Sequence, residues 1–127
     1  MTMPHERTRS LRWGGEVLQE ICDDASVNES ERARAAELLQ NYPTPVTVSH
    51  WIQSDVYCIP LEAARAIEGT GELLRFILPS PACSAPLRRS VLFALRHFPQ
   101  SGTADHWSRT DQRFSITQWL LPENLYG

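Results

Sequence analysis

With 127 residues, 42% hydrophobic and 21% charged, the chain has the composition of a soluble globular protein and enough length to bury roughly 14,000 Å² in one core. Its apolar runs fall short of the roughly eighteen residues that span a membrane, and the opening MTMPHERTRS lacks the apolar stretch of a signal peptide, so a cytoplasmic location is expected. The 12 basic residues are all arginine, which excludes Schiff-base chemistry, a P-loop lysine, a Ser-Lys dyad and the lysine of a kinase fold, and a formal net charge of −3 argues against broad binding to a phosphate backbone.

Pro4 and Glu6 open the first element. Proline suits a first helical turn, an acid suits the positive end of the helix dipole, and apolar positions then recur at 11, 14, 17/18 and 21, which predicts an amphipathic helix over about 5–22. DDASVNES reads as a linker in which Asn28 or Ser30 caps a second helix, about 29–41, with Ala35, Ala36, Leu39 and Tyr42 as its apolar face and Pro43 as its stop. Thr47 heads VSHWIQ, long enough for one or two helical turns. Residues 55–59 are β-branched and aromatic, with strand propensity.

The pattern then starts again. Pro60 and Glu62 precede apolar positions at 67, 70/71, 73/74 and 77, predicting a helix over about 61–78. PSPACSAP is a linker with three prolines, and a further helix over about 86–98 presents Val91, Leu92, Leu95 and Phe98 before Pro99. Thr103 heads ADHWSR. The tail from Arg113 either pairs with 55–59 as a short two-stranded ribbon or closes in a last helical turn over 116–121.

Sliding the chain by 56 residues aligns 4–51 with 60–107 without a gap, and 13 of those 48 positions are identical, where chance gives about three. The shared signature includes Glu6/Glu62, Arg9/Arg65, Gly15/Gly71, Arg32/Arg88, His50/His106 and Trp51/Trp107. Two helical hairpins of this size cannot bury their faces alone, so the expectation is an all-α fold: one domain, 1–127, built of repeats 1–56 and 57–112 plus a tail 113–127, the copies packed about a pseudo-twofold axis. Gly15 and Gly71 are expected where the first helix of each copy crosses the other, because a small residue lets backbones approach; the alternative is two tolerated glycines, since Gly14 and Gly69 also occur. Cys22, Cys58 and Cys83 form no C-x-x-C pair, and reduced, mostly buried thiols are expected.

The opening Met-Thr-Met-Pro-His-Glu-Arg-Thr-Arg, with Glu16-Val17-Leu18 and Ala35-Ala36-Glu37-Leu38-Leu39-Gln40-Asn41-Tyr42-Pro43 at helical spacing, resembles a family of short proteobacterial proteins that start Met-Thr-Met-Pro-x-Glu-Arg-Thr-Arg and end their second helix in Leu-Leu-Arg-His-Tyr/Phe-Pro. Leu95-Arg96-His97-Phe98-Pro99 matches that ending more closely than the first copy does. The chain thus resembles a tandem version of that unit, which implies a small helical bacterial protein and carries no catalytic residues to transfer.

Candidate sites divide by chemistry. His50-Trp51 and His106-Trp107 could converge with Asp55 or Asp105 on a metal, but no His-x-x-x-His or Glu-x-x-His spacing exists, and tryptophans that close each hairpin account for the pairs as well. Glu6/Arg9 and Glu62/Arg65 stand at i,i+3, and Glu16 and Glu72 can face Arg32 and Arg88 across each hairpin as structural ion pairs. Nothing sets a base beside Cys58 or Cys83, so no catalytic residue and no cofactor is expected. Arg88, Arg89, Arg96 and His97 make one helix basic in an acidic chain, and Trp119, Leu120, Leu121 and Tyr126 either cap the core or meet a partner. The expected function is a non-enzymatic protein-binding or regulatory module of inhibitor, antitoxin-like or immunity type. Its partner is another protein or, as a homodimer, a second copy, with no membrane involved. The alternatives are a DNA-associated transcriptional regulator using Arg88–Arg96, disfavoured by links of about eight residues where a helix-turn-helix needs three or four, and a metal-dependent enzyme with His50 and His106.

Overall fold

The computed structural model describes residues 2–81 and 83–123. Among them are α1 (Pro4–Asp23), α2 (Glu29–Leu39), α3 (Pro45–Ser54), α4 (Leu61–Ile77), α5 (Ala85–Leu95), α6 (Thr103–Trp107) and a 3₁₀ turn, Ile116–Gln118. The fold is all-α, and no helix among the described residues is long and apolar enough to cross a membrane.

Local chemistry sets the helix starts. The Met3 amide donates to the Glu6 carboxylate at 3.0 Å, and Pro4 has no N–H to satisfy in the first turn of α1. Asn28 is the cap of α2, its side chain accepting from the Ser30 amide at 2.9 Å. α3 begins earlier than its sequence suggests, because Thr44 accepts from the Thr47 amide at 3.1 Å and Pro45 fills the first turn. α6 is not capped by Thr103: Gly102, at φ 91°, precedes it, and Glu68 of α4 accepts from the Gly102 and Asp105 amides at 2.9 and 3.1 Å. A carboxylate borrowed from another helix thus does the work of an N-cap side chain.

α1 and α4 touch each other, and each packs against both α2 and α5; α6 lies on α4, and α3 meets the 3₁₀ turn. Leu11, Leu18 and Ile21 from α1 and Ile67, Leu74 and Ile77 from α4 are almost fully buried between them. Of the expected faces of the second and fifth helices, Ala35, Tyr42, Val91 and Phe98 are buried and Leu39 and Leu95 pack partly buried against the core, whereas Ala36 and Leu92 do not. Leu38 is buried while Ala36 is exposed, and α5 buries Leu87, Val91 and Ala94 while Leu92 is 53% exposed. Alanine at 94 lets α5 sit close to its neighbours, an advantage that a reading weighted toward large apolar residues overlooks.

The glycines also act differently. A side chain built at Gly15 would meet the Tyr42 ring at 3.2 Å, and one at Gly71 would meet the Arg75 guanidinium at 2.9 Å and the Phe98 ring at 3.4 Å. These glycines make room for the aromatic residue that follows the second helix of each hairpin, not for a crossing of α1 and α4. Gly14 is tighter still, with the Tyr42 hydroxyl and Phe98 ring at 2.5 and 2.7 Å from the added carbon.

Residues 55–59 and the tail meet without forming the expected ribbon. The Ile116 amide donates to the Val56 carbonyl at 2.7 Å and the Thr117 hydroxyl to Asp55 at 2.8 Å, but the chain then turns helically and no strand is present among the described residues. The turn buries Ile116 and Leu120 while leaving Gln118 in water, whereas a strand would put Gln118 on the same face as both.

Candidate functional site

The outer face of α5 leaves two large apolar side chains in water between two arginines. At 3.6 residues per turn, Arg89, Leu92, Phe93 and Arg96 fall within an arc of about 100°, opposite the buried Leu87, Val91 and Ala94. Leu92 and Phe93 are 53% and 49% exposed. Phe93 meets Trp13 of α1 edge-on at 6.1 Å, and the two flank a groove of about 370 Å³ floored by Val17 and rimmed by Glu16 and Glu20. On neighbouring α4, Phe76 is 68% exposed. The corresponding positions 56 residues earlier are Ala33, Ala36, Glu37 and Gln40 on α2 and Glu20 on α1. At these positions the second copy carries apolar or basic residues where the first carries small, polar or acidic ones, and Glu20 itself stands in the groove beside Phe93.

The basic cluster expected from sequence is divided by the fold. Arg88 faces inward, donating to the carbonyls of Leu78 at 3.3 Å and Ser80 at 3.0 Å at the end of α4; Arg32 donates likewise to Val27 at 3.1 Å in the first linker. Both arginines thus satisfy carbonyls at a helix-to-helix turn and are not across from Glu16 and Glu72 as ion-pair partners. Arg89 and Arg96 are exposed, while His97 bonds Glu6 through Nε2 at 2.8 Å and Thr2 through Nδ1 at 3.1 Å. Hydrogen bonding from the Met3 amide, with the nearby His97, lowers the pKa of Glu6. Glu6 is thereby engaged away from Arg9, which lies 3.9 Å from Glu123 and over the Trp13 ring. Among the described residues, Glu62 and Arg65 form no ion pair, and Glu16 pairs with Arg12 at 3.0 Å.

The tail is a lid on the core. Leu120 is fully buried, and Trp119 packs against Trp107 and His106 with ring centroids 6.1 and 6.2 Å apart. Arg7 lies over the Trp119 ring at 5.6 Å and donates to its carbonyl at 2.8 Å, while Arg12 grips Glu123 with two nitrogens at 2.9 Å. Leu120 and Trp119 thus belong to the interior packing, and Tyr126 lies outside the described residues. Trp51 and Trp107 are buried, His50 and His106 exposed. Among the described residues no group of three His, Cys, Asp or Glu side chains could hold a metal ion, so His50 and His106 are not gathered with Asp55 and Asp105. Burial pushes the Cys22 and Cys83 thiols up in pKa; of the three cysteines expected to be mostly buried, Cys83 is buried, Cys22 partly so and Cys58 exposed. Compared with protein-family models, curated proteins and solved structures, the chain matches none.

Sequence reasoning missed Leu92, Phe93 and Phe76 as surface residues. The signal was present in the repeat alignment: Glu37 opposite Phe93 and Glu20 opposite Phe76 mark positions where one copy carries a solvent residue.

Proposed function

We propose that the chain is a non-enzymatic protein-binding module that presents the outer face of α5 to another protein, whose apolar groove is rimmed by acidic residues. The observation that carries this reading is the exposure of Leu92 and Phe93 between Arg89 and Arg96 on a helix whose opposite side already fills the core. Solvent-facing helix positions ordinarily carry polar residues, and an aromatic anchor flanked by arginines has the composition of an interface hot spot. A DNA-associated role fits less well, since Arg88 is occupied by backbone carbonyls and the centre of the face is apolar.

The scaffold in this reading is a duplicated helical unit, the tandem form of the short bacterial family it resembles. Support comes from α2 and α5 spanning positions 56 apart, from the paired Gly15–Tyr42 and Gly71–Phe98 contacts, from Arg32 and Arg88 serving equivalent turns, and from α1 packing on α5 as α4 packs on α2. Duplication lets one copy keep a solvated face while the other acquires a binding face. The test compares proteins retained from the native host by the wild-type chain and by a folded Leu92→Ser/Phe93→Ser variant. Loss of one specific protein from the variant, rebinding in purified form to the wild type alone, supports the reading; identical retention by both contradicts it.

A further inference from the structure

A second feature lies at the junction of the N-terminus, α4 and the end of α5. There a cavity of about 630 Å³ is lined by Arg7, Arg75, Arg96 and His97, with Leu95, Pro99 and Trp119 among its apolar walls and no carboxylate side chain in its lining. Among the described residues none of the three arginines forms an ion pair, although Arg7 is partly desolvated. Arg7 and Arg75 spend some donors on the Trp119 and Pro99 carbonyls, at 2.8 and 3.5 Å, and each guanidinium has five N–H donors to offer. Three cations around one concavity repel each other, and partial burial of Arg7 adds a desolvation penalty; an anion in the cavity offsets both.

The fold itself does not require these charges. The residues 56 positions away from Arg7, Arg75, Arg96 and His97 are Ala63, Gln19, Gln40 and Asn41, all neutral, on helices of the same kind. Three arginines without an ion pair are concentrated at one of two sequence-related places, beside a His97 that is already bonded to the Glu6 carboxylate at 2.8 Å.

We propose that this cavity binds a small organic phosphate, its phosphomonoester dianion held by Arg7, Arg75 and Arg96 and its apolar body lying against Leu95, Pro99 and Trp119. Guanidinium forks match the geometry of phosphate oxygens, and the volume falls in the range that encloses a small-molecule ligand. The site is separate from the partner face of α5 except for Arg96, so ligand binding could be lost or kept independently of protein binding.

The experiment is calorimetric titration of the full chain with phenyl phosphate, inorganic phosphate and benzoate at constant ionic strength, with the Trp119 indole N–H followed by NMR. One-to-one binding of phenyl phosphate that shifts the Trp119 signal, exceeds binding of inorganic phosphate and benzoate, and weakens about tenfold or more in both Arg75→Ala and Arg96→Ala is the expected result. Arg65→Ala, which removes a charge outside this cavity, should leave the affinity unchanged. Arg75 and Arg96 are exposed, so their variants are expected to fold, and far-UV circular dichroism checks this. Absence of binding at millimolar concentration, equal binding by the folded Arg75→Ala and Arg96→Ala variants, or preference for inorganic phosphate overturns the proposal.

Discussion

Gly14→Ala tests the packing at the centre of the fold. The added methyl would lie 2.5 Å from the Tyr42 hydroxyl and 2.7 Å from the Phe98 ring, closer than real side-chain contacts allow, and both aromatic residues are buried. Alanine in place of a mid-helix glycine is worth up to about 1 kcal/mol of helix propensity. Against this stand overpacking of about 1–3 kcal/mol and loss of the hydrogen bond from the Tyr42 hydroxyl to the Leu11 carbonyl, about 1 kcal/mol. The expected net effect is destabilisation by about 1–3 kcal/mol. Gly15→Ala, whose methyl meets the Tyr42 ring at 3.2 Å, needs a shift of only a few tenths of an ångström and should fall within about 1 kcal/mol of the wild type. Tyr42→Phe in the Gly14→Ala background removes the shortest contact and should recover part of the loss, a non-additive pair. Urea denaturation of the wild type, Gly14→Ala, Gly15→Ala, Tyr42→Phe and the Gly14→Ala/Tyr42→Phe double variant measures the series. A Gly14→Ala variant as stable as Gly15→Ala would refute the packing argument.

Three further outcomes follow from the same geometry. Ser10→Ala should be neutral or stabilising by up to about 1 kcal/mol in chemical denaturation, because the buried Ser10 hydroxyl has no hydrogen-bond partner among the described residues and the corresponding residue of the second copy is Ala66. Leu120→Ala should cost about 2–5 kcal/mol, since Leu120 is fully buried; a change near zero would mean that the tail does not close the core. Glu6 and Asp55 have lowered pKa values, from the Met3 amide and from the Ser115 and Thr117 hydroxyls respectively, so the folded state binds fewer protons than the unfolded state. Their stabilisation is present above the ordinary carboxylate range and is lost as pH falls below about 4; thermal melts across pH 2–6 should show a shallower acid-side loss for Asp55→Asn than for the wild type.

Much of the helical scaffold was legible because its signals are local: Pro4, Pro43 and Pro99 punctuate helices, Asn28 caps one, and the apolar periodicity of 11–21 and 67–77 survives into the buried faces of α1 and α4. What was not legible depended on packing between elements. The periodicity of α2 and α5 allows two neighbouring stripes, and choosing between Leu92 and Ala94 requires knowing how closely α1 approaches. Glu68 capping α6 and Glu123 on Arg12 join residues 34 and 111 positions apart, which no spacing rule anticipates. The candidate face is half legible: Arg89 and Arg96 belong to the helix that the sequence marks as basic, while Leu92, large and apolar, reads as core.

The most direct test of the central claim places a photocrosslinking amino acid at position 93 of α5 and, separately, at position 37, its counterpart 56 residues earlier on α2, in cells of the native host. The account predicts that position 93 captures one dominant protein partner and that position 37 captures none. Equal capture from both positions, or capture from position 37 alone, would contradict it.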